Sequence, residues 1–79
     1  MKYVYILESL AAPDRFYVGG TIDLKRRFKE HNTGESAHTS KFTPWKMTLY
    51  VAFSDHEKAD KFEEYLKSGS GRAFAKKHF

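Results

Sequence analysis

The sequence predicts an α/β domain of the α+β type, a small three-stranded antiparallel sheet flanked by helices in the order β-β-α-β-α-α. Three observations lead there. Two runs with strand periodicity lie close together across a turn, a third follows much later, and the segments between and after carry apolar residues at helical spacing. The chain has 79 residues, room for one domain spanning 1–79 and too few for two. So small a core must be economical, and an aromatic content of 16% suits it, because large rings bury much area per residue.

Residues 2–8 alternate as a strand, with Tyr3, Tyr5 and Leu7 on one face and Val4 and Ile6 on the other. Both faces are apolar, which predicts a strand covered on both sides. Pro13 and Asp14 supply turn chemistry within 11–15, and Phe16 to Gly20 reads as the second strand of a hairpin. Thr21 or Asp23 can cap a helix over about 23–33, which Gly34 stops. The polar stretch 34–44, with Gly34, Ser36, Thr39, Ser40 and Pro44, reads as a loop. From Lys46 to Phe53, Met47, Leu49, Val51 and Phe53 recur at period two, a third strand. Ser54-Asp55-His56-Glu57 reads as a capping box opening a helix to about Ser68. Gly69-Ser70-Gly71 is expected to break the chain before a short terminal helix.

Fourteen Lys and Arg against ten Asp and Glu give a formal charge of +4, which favours a polyanionic partner such as DNA or RNA. The absence of cysteine removes disulfides, zinc knuckles and thiol catalysis together, and it points to a reducing, cytoplasmic setting. Residues 2–7 are too short a run for a signal h-region, and no apolar run approaches the roughly 20 residues needed to span a bilayer, so no membrane partner is expected. His31, His38, His56 and His78 make no metal-ligand pair at helical spacing, and the glycines at 69 and 71 lack the Gly-Lys-Ser/Thr of a phosphate loop.

At about 100° per residue, Leu24, Arg27, Phe28 and His31 share one helix face, while Lys25, Arg26, Lys29 and Glu30 fall on the others. A guanidinium and an imidazole on a packing face are costly unless partnered, and functional residues are often placed so. The wheel alone leaves open an Arg27 that snorkels at the core edge and a His31 bonded to backbone. In the penultimate helix Ala59, Phe62, Tyr65 and Leu66 form the apolar stripe. Glu63 stands at its margin and Glu64 points away, so of the two Glu63 can reach a cleft against the sheet; a surface ion pair with Lys is the commoner fate of such a residue.

Tyr3-Val4-Tyr5 followed by Tyr17-Val18-Gly19 resembles the paired motifs of the GIY-YIG nuclease family. The run Gly20-Thr21-Ile22-Asp23-Leu24-Lys25-Arg26-Arg27-Phe28-Lys29-Glu30-His31 resembles it too, as do Pro44-Trp45-Lys46 and the stretch from Glu63 to Arg72, which look like the stand-alone, YhbQ-like bacterial members. The resemblance implies that Tyr5 and Tyr17 line an active site, one of them helping to deprotonate a water. It implies that Arg27 holds the scissile phosphate, that His31 is a site histidine and that Glu63 binds a metal ion. Tyr3 replaces the usual Gly, and the downstream Asn of several nuclease members has no counterpart, since Asn32 is the only Asn.

The implied chemistry is hydrolysis of phosphodiesters. Arg27 offers an always-charged fork for two phosphate oxygens. One Glu plus water suits Mg²⁺ or Mn²⁺ acting as Lewis acid. A phenol, with an ordinary pKa near 10, needs nearby positive charge to serve as base, and Tyr5 is the first choice, with Tyr17 as support and His31 relaying a proton. Lys25, Arg26, Lys29, Lys41, Lys46 and Arg72, together with Lys76 and Lys77, are candidate phosphate contacts, which supply affinity without sequence reading. DNA is the expected substrate ahead of RNA, with a protein partner supplying target choice. A non-catalytic nucleic-acid-binding module and a protein-interaction domain are the rival readings.

Overall fold

The computed structural model describes residues 1–79 and has the expected order: β1 Lys2–Ser9, β2 Phe16–Thr21, α1 Leu24–Asn32, β3 Trp45–Phe53, α2 His56–Lys67 and α3 Gly69–His78. The sheet is antiparallel throughout, with β1 in the centre between β2 and β3. That position explains why both faces of β1 are apolar. Val4 and Ile6 meet Ala59 and Leu66 of α2, with Ala75 of α3 alongside. Tyr5 and Leu7 meet Trp45, with Leu24 and Phe28 of α1 packed against them. The domain is therefore three layers, α1 on one sheet face and α2 with α3 on the other. No helix is long and apolar enough to cross a membrane.

The hairpin turn closes through Arg15 N–H to Ala12 O at 2.8 Å, and the Ser9 hydroxyl accepts the amides of Ala11 and Ala12. Between Ile6 and Leu7 the pairing with β3 slips by one residue, leaving Thr48 unmatched in a bulge. The 34–44 segment is more ordered than a loop, since Ser40–Phe42 form one 3₁₀ turn. Asn32 fastens this segment's end, accepting the Trp45 amide at 2.6 Å and donating to the Trp45 carbonyl at 3.1 Å. Asn32→Ala strands both backbone groups and is expected to cost about 1–3 kcal/mol, read as a lowered melting temperature.

Three local expectations are corrected. Asp55, not Ser54, caps α2, because its carboxylate reaches two amides, Glu57 at 2.9 Å and Lys58 at 3.3 Å. Tyr65 does not join the buried stripe; it stands exposed against Phe74 of α3. Gly69-Ser70-Gly71 does not interrupt the helical path beyond Ser68. Those residues are the first turn of a ten-residue α3, capped by the Ser68 hydroxyl, which accepts the Gly71 amide at 3.1 Å. Gly71 lies directly on the Tyr65 carbonyl, so glycine here permits a close crossing of two helices.

Candidate active site

Strand alternation and two glycines build the site. Tyr5 pairs with Gly19, and Leu7 with Tyr17, so both phenols stand on the α1 face of the sheet. A Cβ on Gly19 would collide with the Tyr5 hydroxyl and press on the Tyr17 ring. Gly20, one residue on, faces the opposite side, where a Cβ would collide with the Glu63 carboxylate of α2. The β1–β2 hairpin thus has the Tyr5 and Tyr17 phenols on one face and the Glu63 carboxylate of α2 against the other.

His31 is fully buried, with Nε2 2.7 Å from the Tyr5 oxygen and Nδ1 2.8 Å from the Thr39 hydroxyl. Its ring also lies 4.9 Å from that of Tyr17. Burial, then the Arg27 charge, depresses its pKa to about 4, against a smaller opposing pull from Glu30. Burial and then Tyr17 push the Tyr5 phenol up to about 12, against the pull of Arg27, and the Glu63 charge adds to the rise. A neutral imidazole has one N–H and one bare nitrogen, so it donates to one of the Tyr5 and Thr39 hydroxyls and accepts from the other.

A depressed histidine pKa has a stability consequence. Between about pH 4 and 6.5 the unfolded chain holds a proton on His31 that the folded chain does not. Stability from this group is therefore complete above pH 6.5 and lost as pH falls towards 4, by about 3 kcal/mol at most. Urea unfolding across that range is expected to show this slope in the wild type and a flatter one in His31→Gln.

Arg27 and Arg26 divide as their helix faces require, with side chains 33% and 76% exposed. Glu30 clasps both, through Arg27 Nη1 at 3.0 Å and Arg26 Nε at 3.3 Å. Asp23 caps the helix below them, accepting the Arg26 amide at 3.1 Å. The Arg27 pair with Glu30, ahead of burial, holds the guanidinium's pKa above its ordinary value and the carboxyl's below. Thr21, Ile22, Asp23, Arg26, Arg27 and Glu30 line a polar hollow of about 220 Å³. Glu63 accepts from Lys67 Nζ at 2.8 Å through Oε2, leaving Oε1 in the space that Gly20 vacates. As no three His, Cys, Asp or Glu side chains converge, a metal ion beside Gly20 would have this one carboxylate as its protein donor. Such a site fits an ion that keeps most of its waters, as Mg²⁺ does, and lacks the multiple N or S ligands zinc requires.

The GIY-YIG catalytic domain family matches residues 1–77. The chain belongs to the GIY-YIG family. A structure-specific endonuclease subunit SLX1 homolog of Giardia intestinalis is 40% identical over 77% of this chain, and 18% of its own length is covered. The corresponding SLX1 subunit of Candida dubliniensis is 39% identical over 81% of this chain and 25% of its own. The chain thus spans a quarter or less of those proteins. A UPF0213 protein of Streptococcus agalactiae is 35% identical, with 90% of this chain and 80% of its own length covered. The solution structure of a UPF0213 protein from Bacillus halodurans superposes with a TM-score of 0.58 at 33% identity, covering 96% of this chain and 81% of that one.

In this GIY-YIG domain Tyr5, Tyr17, Arg27 and His31 come together, and Glu63 faces them from across β2. The cations are scattered. Lys25 and Lys29 are exposed with Arg26 on α1, Lys41 on the 3₁₀ turn, and Arg72 on α3 in the other layer. Lys46 is drawn to Glu8 at 3.1 Å. Helical spacing placed Glu30 away from the site, yet its side chain is only 24% exposed and grips Arg27. Thr39, within the expected loop, is fully buried beneath His31. Asn32 is occupied by Trp45 and stands in for no missing site residue. The i,i+3 spacing from Arg27 to Glu30 and the i,i+4 spacing from Glu63 to Lys67 are the signals in the sequence that point to those partners.

Proposed function

We propose that this GIY-YIG domain is a metal-dependent endonuclease that hydrolyses phosphodiester bonds in DNA, by structure or with weak sequence preference, in repair or recombination. The gathering of Tyr5, Tyr17, Arg27 and His31 at the open edge strand, with Glu63 across it, carries the reading. Relatives named as structure-specific endonuclease subunits support it, and the word subunit supports a protein partner that supplies target choice. The cysteine-free composition accords with a cytoplasmic setting.

Arg27 binds the scissile phosphate in the polar hollow, giving up part of its bond to Glu30 as the anion arrives. Tyr5 is the weaker choice of base, being buried, bonded to His31 and held protonated well above neutral pH. We assign the water-facing role to Tyr17, which is half-buried beside Arg27, and the orienting role to the Tyr5–His31–Thr39 chain. Glu63 would hold Mg²⁺ or Mn²⁺, and the ion would supply Lewis-acid stabilisation of the phosphate or leaving oxygen.

The ion pairs Arg27–Glu30 and Glu63–Lys67 favour a second reading, a nucleic-acid-binding module without catalysis, because both charges are already engaged. End-labelled flapped, branched, duplex and single-stranded DNA decide between them. The nuclease cuts branched substrates with Mg²⁺ or Mn²⁺, stops on chelation, and needs more metal as Glu63→Gln. Salt-dependent binding without cutting identifies the binding module.

A further inference from the structure

Next to the polar hollow lies a larger, open groove of about 420 Å³, a size within the roughly 300–1,000 Å³ range of small-molecule sites. Tyr3, Phe28, Met47 and Tyr50 form its walls, with Ile22 and Lys25 among its lining. Tyr3 and Tyr50 meet edge to face at 6.0 Å, and Tyr50 remains 56% exposed and Ile22 70%. Much of the surface of these large side chains is thus left uncovered within this chain. The two hollows share Ile22 and Asp23, so the groove continues directly from the residues around Arg27.

An occupant of both must place negative charge against Arg26 and Arg27 and a flat apolar group on the tyrosines, with Lys25 available to a second anion. Asp23 and Glu30 oppose only part of this charge, two carboxylates against the three cations Lys25, Arg26 and Arg27. A nucleotide has that division between phosphate and base. We propose that the groove receives an unpaired base of the nucleotide flanking the phosphate bound at Arg27. Faces of paired bases are covered by their neighbours in a duplex, whereas an unpaired base can stack on an exposed ring. The groove thus selects DNA with an unpaired nucleotide beside the cut. This rests on the nuclease reading and names its substrate class.

The test is fluorescence anisotropy without divalent metal, using labelled flap DNA, either intact or with one abasic nucleotide at each unpaired position next to the junction in turn. Tyr50→Ala is expected to weaken binding of intact DNA about five- to hundredfold. One abasic position should weaken wild-type binding equally and leave Tyr50→Ala with no further loss. Ile22→Ala, at a more exposed position, repeats the comparison should Tyr50→Ala unfold. Equal affinities for all pairs, or losses that simply add, overturn the base-binding groove while leaving the nuclease reading intact. Failure of the wild type to bind any DNA in a salt-dependent way overturns the nuclease reading itself. A dimer in sedimentation that Tyr50→Ala separates makes the groove a contact between copies and overturns the proposal.

Discussion

Arg27→Ala is expected to reduce single-turnover cleavage by about 10²- to 10³-fold, the usual loss when one fixed donor to developing charge is removed. The fold should barely notice. Arg27 is bonded to Glu30 across a partly exposed ion pair, and such pairs contribute about 0–1 kcal/mol. Arg27→Lys keeps the charge without the planar fork, so it should recover only part of the rate. The guanidinium also lowers the pKa of His31, so removing it should raise that pKa, a shift visible in histidine NMR titration. A variant with normal melting, shifted His31 titration and lost cleavage places Arg27 in the chemistry. Undiminished cleavage would move the phosphate site elsewhere.

Gly71→Ala is expected to be the most destabilising single-methyl substitution in the chain. Its added Cβ would overlap the Tyr65 carbonyl and crowd Leu66 Cα, which are backbone atoms of a neighbouring helix with no rotamer to escape into. Overpacking of this kind costs about 3 kcal/mol or more where backbone must move. For a domain of this size that is a fall in melting temperature of at least about 10 °C. Gly69→Ala, in the same turn but with nothing near its virtual Cβ, should leave stability unchanged or slightly raised. The pair separates crowding at one position from a general effect of removing glycine.

The site was legible to different depths. Arg27 and His31 could be told from Arg26 and Lys29 by helical spacing alone, and their shared placement at the Tyr5 phenol followed. The shared site of Tyr5 and Tyr17 was implied by the resemblance of their two motifs. That the Tyr5 phenol is held protonated could not be read there, because this comes from burial beneath α1 and the neighbouring Tyr17 phenol, which only packing provides. Gly69 and Gly71 read as a break because glycine disfavours helix in isolation, whereas the crossing at Tyr65 makes glycine necessary at 71.

By itself, the sequence determined the element order, the two-faced central strand and the sides on which Tyr5, Arg27, His31 and Glu63 stand. Those properties depend on periods of two and 3.6 residues, which are local. Only tertiary structure decided that Thr39 lies under His31, that Gly20 makes room for Glu63, and that the Tyr3–Tyr50 groove adjoins the arginines. These are meetings of segments distant in sequence, set by how three strands and three helices share one small core.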